Sequence, residues 1–128
     1  MRLAAKAAAS VSVILLTAAS FAMPQPDDEI EAVKGKDVFE RRCAGCHSLD
    51  HPMEGPLLRN VYGRQAGTSR DFVYSDALKS SKFTWNDALL DKWLTDTESL
   101  VPDNDMSFRV ANPDERRAII AYLKSLSQ

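Results

Sequence analysis

Residues 43–47 read Cys-Ala-Gly-Cys-His, and no other feature restricts the chain as much. Cys43 and Cys46 are the only two cysteines among the 128 residues. A pair so close in sequence cannot staple distant parts of a fold, so no disulfide framework exists. Three chemistries use such a pair. A thioredoxin-like dithiol needs a βαβ context, and no segment here shows strong period-2 alternation. A structural zinc site needs four ligands, usually from two such pairs, and the chain has one. The third chemistry is covalent attachment of haem, whose signature is the order Cys-x-x-Cys-His. The two intervening residues let one turn of chain carry each thiol to one vinyl group, giving two thioethers. The adjacent His47 is then held beneath the iron. The motif implies one covalent haem c, attached through Cys43 and Cys46, with His47 as an axial ligand.

The amino terminus says where this happens. Arg2 and Lys6 precede an uncharged stretch from Ala7 to Ala22, with an apolar centre from Val11 to Leu16 and a small-x-small ending at Ser20-Phe21-Ala22. Residues 1–22 therefore read as a secretory signal peptide, and a transit peptide would be Arg-rich and amphipathic instead. An uncleaved anchor fits less well, because a spanning helix needs about 20 apolar residues. The expected location is the periplasm, which agrees with haem attachment outside the cytoplasm in bacteria. The formal net charge is −2. With no basic excess, nucleic-acid binding is disfavoured.

After the signal, residues 23–34 form an acidic, Pro-containing lead-in, expected to be solvated and loosely ordered, and residues 35–128 form one domain. A helix is expected from about Val33 through Arg42, with Val38 and Phe39 on its apolar face. The stretch from Ser48 to about Val73 lacks helical periodicity and is punctuated by Gly55-Pro56, Gly63 and Gly67. A loop this long suits a small domain only where it wraps a ligand. A short helix is expected at Asp76 to Lys79. Thr84 is expected to cap the next helix, with Leu89, Leu90, Trp93 and Leu94 on one face and an end near Thr95 to Thr97. Residues 98–111 read as irregular around Pro102. The last helix opens with Asn112 as cap and Pro113 at its first position, and buries Ile119, Ile120, Tyr122, Leu123 and Leu126. The fold class is all-α, with three main helices and long loops around one covalent haem.

The residues leave the second axial ligand open. Met53 and His51 lie within six residues of His47, at the start of the same loop. Met106 lies far along the chain, in an irregular segment able to close over the opposite face. Methionine is also a common filler of core gaps, and spacing does not separate that role from ligation.

Taken together, these residues resemble class I cytochrome c, close to the mitochondrial and alphaproteobacterial soluble type, over about residues 33 to 128. Gly35 and Phe39 resemble the first-helix pair that packs on the final helix, where Tyr122 follows Ile120-Ala121. Gly55-Pro56 resembles the segment whose proline carbonyl accepts a hydrogen bond from the proximal histidine. Gly63-Arg64, the Phe72-Val73-Tyr74-Ser75 run and Trp85 resemble the haem-propionate surroundings. The resemblance implies that Pro56, Arg64, Tyr74 and Trp85 belong to the haem environment. Pro102 followed by Met106 and Phe108 matches the axial-methionine loop, so the resemblance assigns Met106 as the second iron ligand.

It further implies a monomeric one-electron carrier, not an enzyme, working between redox proteins such as a cytochrome reductase complex and a terminal oxidase. The alternative is a haem peroxidase or gas-binding protein with a labile sixth ligand. Several positions depart from the family pattern. Asp103-Asn104-Asp105 stands where the family has Gly-Thr-Lys, so the threonine's propionate contact either passes to Asn104 or is lost. Trp93 replaces a tyrosine near the axial sulfur. Glu98, Asp103 and Asp105 stand where lysines usually ring the haem edge.

Overall fold

A computed structural model describes residues 25–127; the expected signal peptide, residues 1–22, lies outside them. Five helices follow one another: α1 (Pro26–Arg42), α2 (Asp76–Ser80), α3 (Asp87–Thr95), α4 (Thr97–Leu100) and α5 (Pro113–Ser125). Among the described residues there is no sheet, only one isolated antiparallel bridge between Gln65 and Thr84. The expected all-α class holds, with α1, α3 and α5 as the main helices.

α1 begins earlier than its apolar pattern implies. The acids read as a loose lead-in form its first turn: Pro26 occupies the first helical position and Asp27, Asp28 and Glu29 follow. Proline's fixed φ suits that position, and carboxylates there meet the positive end of the helix dipole. Glu31 then lies 3.5 Å from Lys34 and 3.7 Å from Arg117 of α5, which ties the extension to the body of the domain. Arg41 and Arg42 close the helix at its negative end.

α1 and α5 cross in close contact. Phe39 meets Tyr122 edge to face at 5.5 Å between ring centroids, and Arg42 pairs with Glu115 at 2.9 Å. The crossing is possible because position 35 has no side chain: a Cβ there would stand 1.8 Å from the carbonyl oxygen of Ala118 and 2.8 Å from Tyr122 Cβ. Overpacking typically costs 1–3 kcal/mol, and a backbone atom cannot step aside as a side chain does. Gly35→Ala is therefore expected to lower unfolding stability by about 3 kcal/mol or more. Denaturant titration of the haem-containing protein measures it, and a loss under about 1 kcal/mol would show that the helices separate cheaply.

α5 is capped as its sequence implies: Asn112 Oδ1 accepts from Asp114 N–H at 2.8 Å, and Ile119, Ile120, Tyr122 and Leu123 are buried, while Leu126, at the C-cap, is only partly buried. The expected cap of α3 is corrected. Asn86, not Thr84, caps it, accepting from Leu89 N–H at 2.9 Å. Thr84 is engaged in the bridge to Gln65, and Trp85 N–H donates to the Arg64 carbonyl at 2.9 Å. The chain cannot turn into a helix until that pairing ends. The single turn α4 lies in a stretch expected to be irregular. No helix among the described residues is long and apolar enough to cross a membrane.

Candidate functional site

The end of α1 delivers the motif. Cys43 N–H donates to the Phe39 carbonyl at 2.8 Å, and His47 N–H donates to the Cys43 carbonyl at 2.9 Å, so the five residues form one tight turn. Burial pushes the Cys43 thiol up to about 11, which keeps it protonated at neutral pH. His47 is 8 % exposed. Its Nδ1 lies 2.8 Å from the Pro56 carbonyl oxygen. A carbonyl only accepts, so Nδ1 carries the proton and Nε2 keeps its lone pair. Burial lowers the His47 pKa, against the opposing pull of the Pro56 bond, and favours this neutral form. Gly55 makes the arrangement possible: a Cβ there would stand 2.3 Å from His47 Cε1.

The turn opens into a cavity of about 370 Å³. Cys43, Cys46, His47, Pro56, Arg64, Tyr74, Trp85 and Met106 all line it, so the residues expected to attach, ligate or surround a haem are brought together. Met53 and His51 are not among its lining residues. Met53 is 45 % exposed, and His51 Nδ1 bonds Ser48 Oγ at the surface. Much of the remaining wall is apolar, including Leu58, Val61, Leu78, Leu90, Leu94 and Phe108.

One wall is built from the pairing of residues 63–66 with 83–85. It carries Arg64 beside Trp85, whose ring sits edge to face with Phe83 at 4.8 Å and Trp93 at 5.5 Å. The Arg64 guanidinium donates to the carbonyls of Leu57 at 3.0 Å and Arg59 at 3.3 Å. Burial lowers its pKa, while Tyr74 beside it acts in the other direction. Among the described residues no carboxylate pairs with it. A half-buried cation without a counter-charge is costly, and a propionate of a bound macrocycle would supply one. Tyr74 OH accepts from Ser69 N–H at 3.3 Å, which leaves its own proton to donate. The apolar wall, the free Nε2, the two thiols and this unpaired guanidinium fit a haem attached at Cys43 and Cys46.

Two residues shape the site through contacts that the sequence does not show: Thr97 carries no signal of its own, and Asn104 stands out only as a departure from the family pattern. Thr97 donates to the Met106 carbonyl at 2.5 Å, and Asn104 Oδ1 accepts from Met106 N–H at 2.8 Å. Asn104 is thus turned into its own loop, its amide donating to the Val101 carbonyl at 2.9 Å. Asp103 takes φ +64°, a left-handed conformation that aspartate tolerates better than most residues. Charges of both signs, Arg42, Glu54 and Asp105, line the cavity. Arg42 is already paired with Glu115 and Arg41 with Asp37.

The model of the cytochrome c family matches residues 32–127. The chain belongs to the cytochrome c family. Members of this family bind one covalent haem c, as the fit of the cavity and its motif requires here. The chain is 41 % identical over 97 residues to cytochrome c2 of Rhodomicrobium vannielii, covering 73 % of this chain and 77 % of that protein. It is 37 % identical over 113 residues to cytochrome c of Theileria parva, covering 83 % and 97 %. Among solved structures, cytochrome cH from Methylobacterium extorquens superposes with a TM-score of 0.70 at 38 % identity, over 73 % of this chain and 97 % of that one. The cytochrome c fold is thus common to this chain and its relatives.

Proposed function

We propose that this protein is a periplasmic one-electron carrier whose haem c is attached through Cys43 and Cys46 and ligated by His47 and Met106. The observation that carries the reading is that Met106 lines the same apolar cavity as the tethered His47, while Met53 and His51 do not. When bound, the haem iron takes up and releases one electron, and a His/Met ligand pair raises its potential into a range suited to transfer. The chain's part is to hold and shield. Pro56 fixes the His47 ring through Nδ1, which keeps Nε2 aimed and tunes its basicity. Arg64, Tyr74 and Trp85 surround a propionate. The apolar lining excludes water and small reactants, so the protein makes no bond to a substrate. After removal of residues 1–22 it works as a monomer between redox proteins such as a reductase complex and a terminal oxidase. Its cytochrome c2 and cytochrome cH relatives support this setting.

The ferric protein is expected to be six-coordinate and low-spin, with the weak far-red band of sulfur ligation. Met106→Ala removes that band and lowers the midpoint potential by on the order of 100 mV, within the roughly 0.8 V that axial ligands span. Loss of the band in Met53→Ala instead would assign the ligand there. A high-spin ferric haem that takes cyanide at once would make the protein a haem peroxidase or gas-binding protein.

A further inference from the structure

We infer that Thr97 and Asn104 are positioning residues that hold Met106 by its own peptide groups and set how often its side chain leaves the haem. The inference rests on Met106 being the second iron ligand. Both main-chain polar groups of Met106 are taken by side chains. Its N–H donates to Asn104 Oδ1 at 2.8 Å. Its carbonyl accepts from Thr97 Oγ1 at 2.5 Å, and from Phe108 N–H at 3.0 Å. Asn104 is itself held at its other end, its amide donating to Val101 O at 2.9 Å and to Glu98 Oε2 at 3.3 Å. Glu98 Oε1 accepts from Asp103 N–H at 3.0 Å. The one-turn helix α4 thus presents two neighbouring side chains, Thr97 and Glu98, that grip the following loop from one side. Thr97 is 3 % exposed. If the loop carries Met106 away, that hydroxyl loses its partner in a place water does not reach, and an unsatisfied buried donor is expensive. The brace therefore opposes movement of the loop backbone that would carry the side chain out of the cavity.

The test uses the ferric haem-containing protein with free imidazole as the competing ligand. At high imidazole the binding rate is limited by departure of the methionine, which stopped-flow absorbance reads directly. Thr97→Val keeps the shape and removes the donor; Asn104→Ala removes the acceptor for Met106 N–H. Each is expected to raise the limiting rate about tenfold, the effect of losing a bond of about 1.4 kcal/mol. Thr97→Ser restores the hydroxyl and should return the rate to within about threefold of the parent. A merely structural role would lower melting temperature in all three and leave the limiting rate alone. If Thr97→Val is not recovered with haem, Asn104→Ala, which alters a partly exposed side chain, decides. Parent-like limiting rates, with the far-red band present in the parent and absent from Met106→Ala, would overturn the brace alone. A band that survives Met106→Ala would overturn the ligand assignment and the brace together.

Discussion

Replacing Cys43 and Cys46 together by alanine is expected to yield a haem-free chain that does not fold. The reason lies in the size of what the haem fills. The cavity measures about 370 Å³ and is walled largely by apolar side chains from the loops and from α3 and α5. Empty core space costs about 24 cal/mol per Å³, which sets an upper bound on the order of 9 kcal/mol for a void of this size that opens to solvent. The whole stability of a small domain is about 5–15 kcal/mol. Relaxation does not close the gap cheaply. The segments bearing Leu57, Leu58, Val61, Phe72 and Phe108 have little helix of their own, and Leu58, Val61, Phe72 and Phe108 turn apolar surface into this cavity. Contacts between α1 and α5 persist best, because Gly35, Phe39 and Tyr122 meet without the cofactor. The measurement is an amide NMR spectrum of the purified haem-free double variant, with far-UV circular dichroism beside it. Narrow amide dispersion and a helical signal less than about half that of the haem protein are expected. A well-dispersed spectrum would show that the polypeptide alone supplies the core.

How much of this was legible beforehand depends on whether a residue's role is local. Asn112-Pro113 and the stripe through Ile119 and Leu123 announce α5 because cap, first-turn proline and burial all act within one helix. The motif at residues 43–47 is equally local, and it identifies three site residues without any knowledge of the fold. Met106 is different. Spacing puts Met106, unlike Met53 and His51, in a segment able to close the far face, but it does not separate a ligand from a filler of the core, and the likeness to a known family is what favours ligation. The misplaced cap of α3 has the same origin: Thr84 is a good cap in isolation, but the strand-like pairing with Gln65 holds it out of the helix. The first turn of α1 does not stand out in the sequence, because acids near a proline suit a solvated tail as well as a helix start. Its link to Arg117 lies in α5, far along the chain. The hold of Thr97 and Asn104 on Met106 is not legible for a further reason. Their partners are backbone atoms of Met106, and a backbone atom leaves no trace in residue type.

Gly55→Ala is expected to be nearly as damaging as loss of the cysteines, although it adds one methyl group. Gly55 lies against the face of the His47 ring, and an added Cβ would stand 2.3 Å from Cε1, 2.6 Å from Nδ1 and 2.8 Å from Nε2. Three ring atoms under 3.0 Å leave no rotation that relieves them all, so either the ring or the backbone must move. The backbone is held on both sides of the peptide unit. Gly55 N–H donates to the Cys46 carbonyl at 2.9 Å, and Met53 N–H donates to the Gly55 carbonyl at 2.9 Å. If the ring moves instead, it leaves the Pro56 carbonyl, 2.8 Å from Nδ1, and turns Nε2 away from the line the iron needs. Overpacking against a fixed group costs about 1–3 kcal/mol or more, and here the strain falls on the proposed axial ligand. The expected outcome is at least about a tenfold fall in the yield of covalent haem protein, the equivalent of about 1.4 kcal/mol. The fraction that does form should have lost low-spin character in its ferric spectrum. Gly45→Ala is the control, since a Cβ at Gly45 meets nothing within 4 Å and the residue lies inside the same motif. Parent-like yield and spectrum from Gly55→Ala, with Gly45→Ala also unaffected, would mean that the loop carrying Pro56 yields easily and that the histidine is aimed by the iron alone.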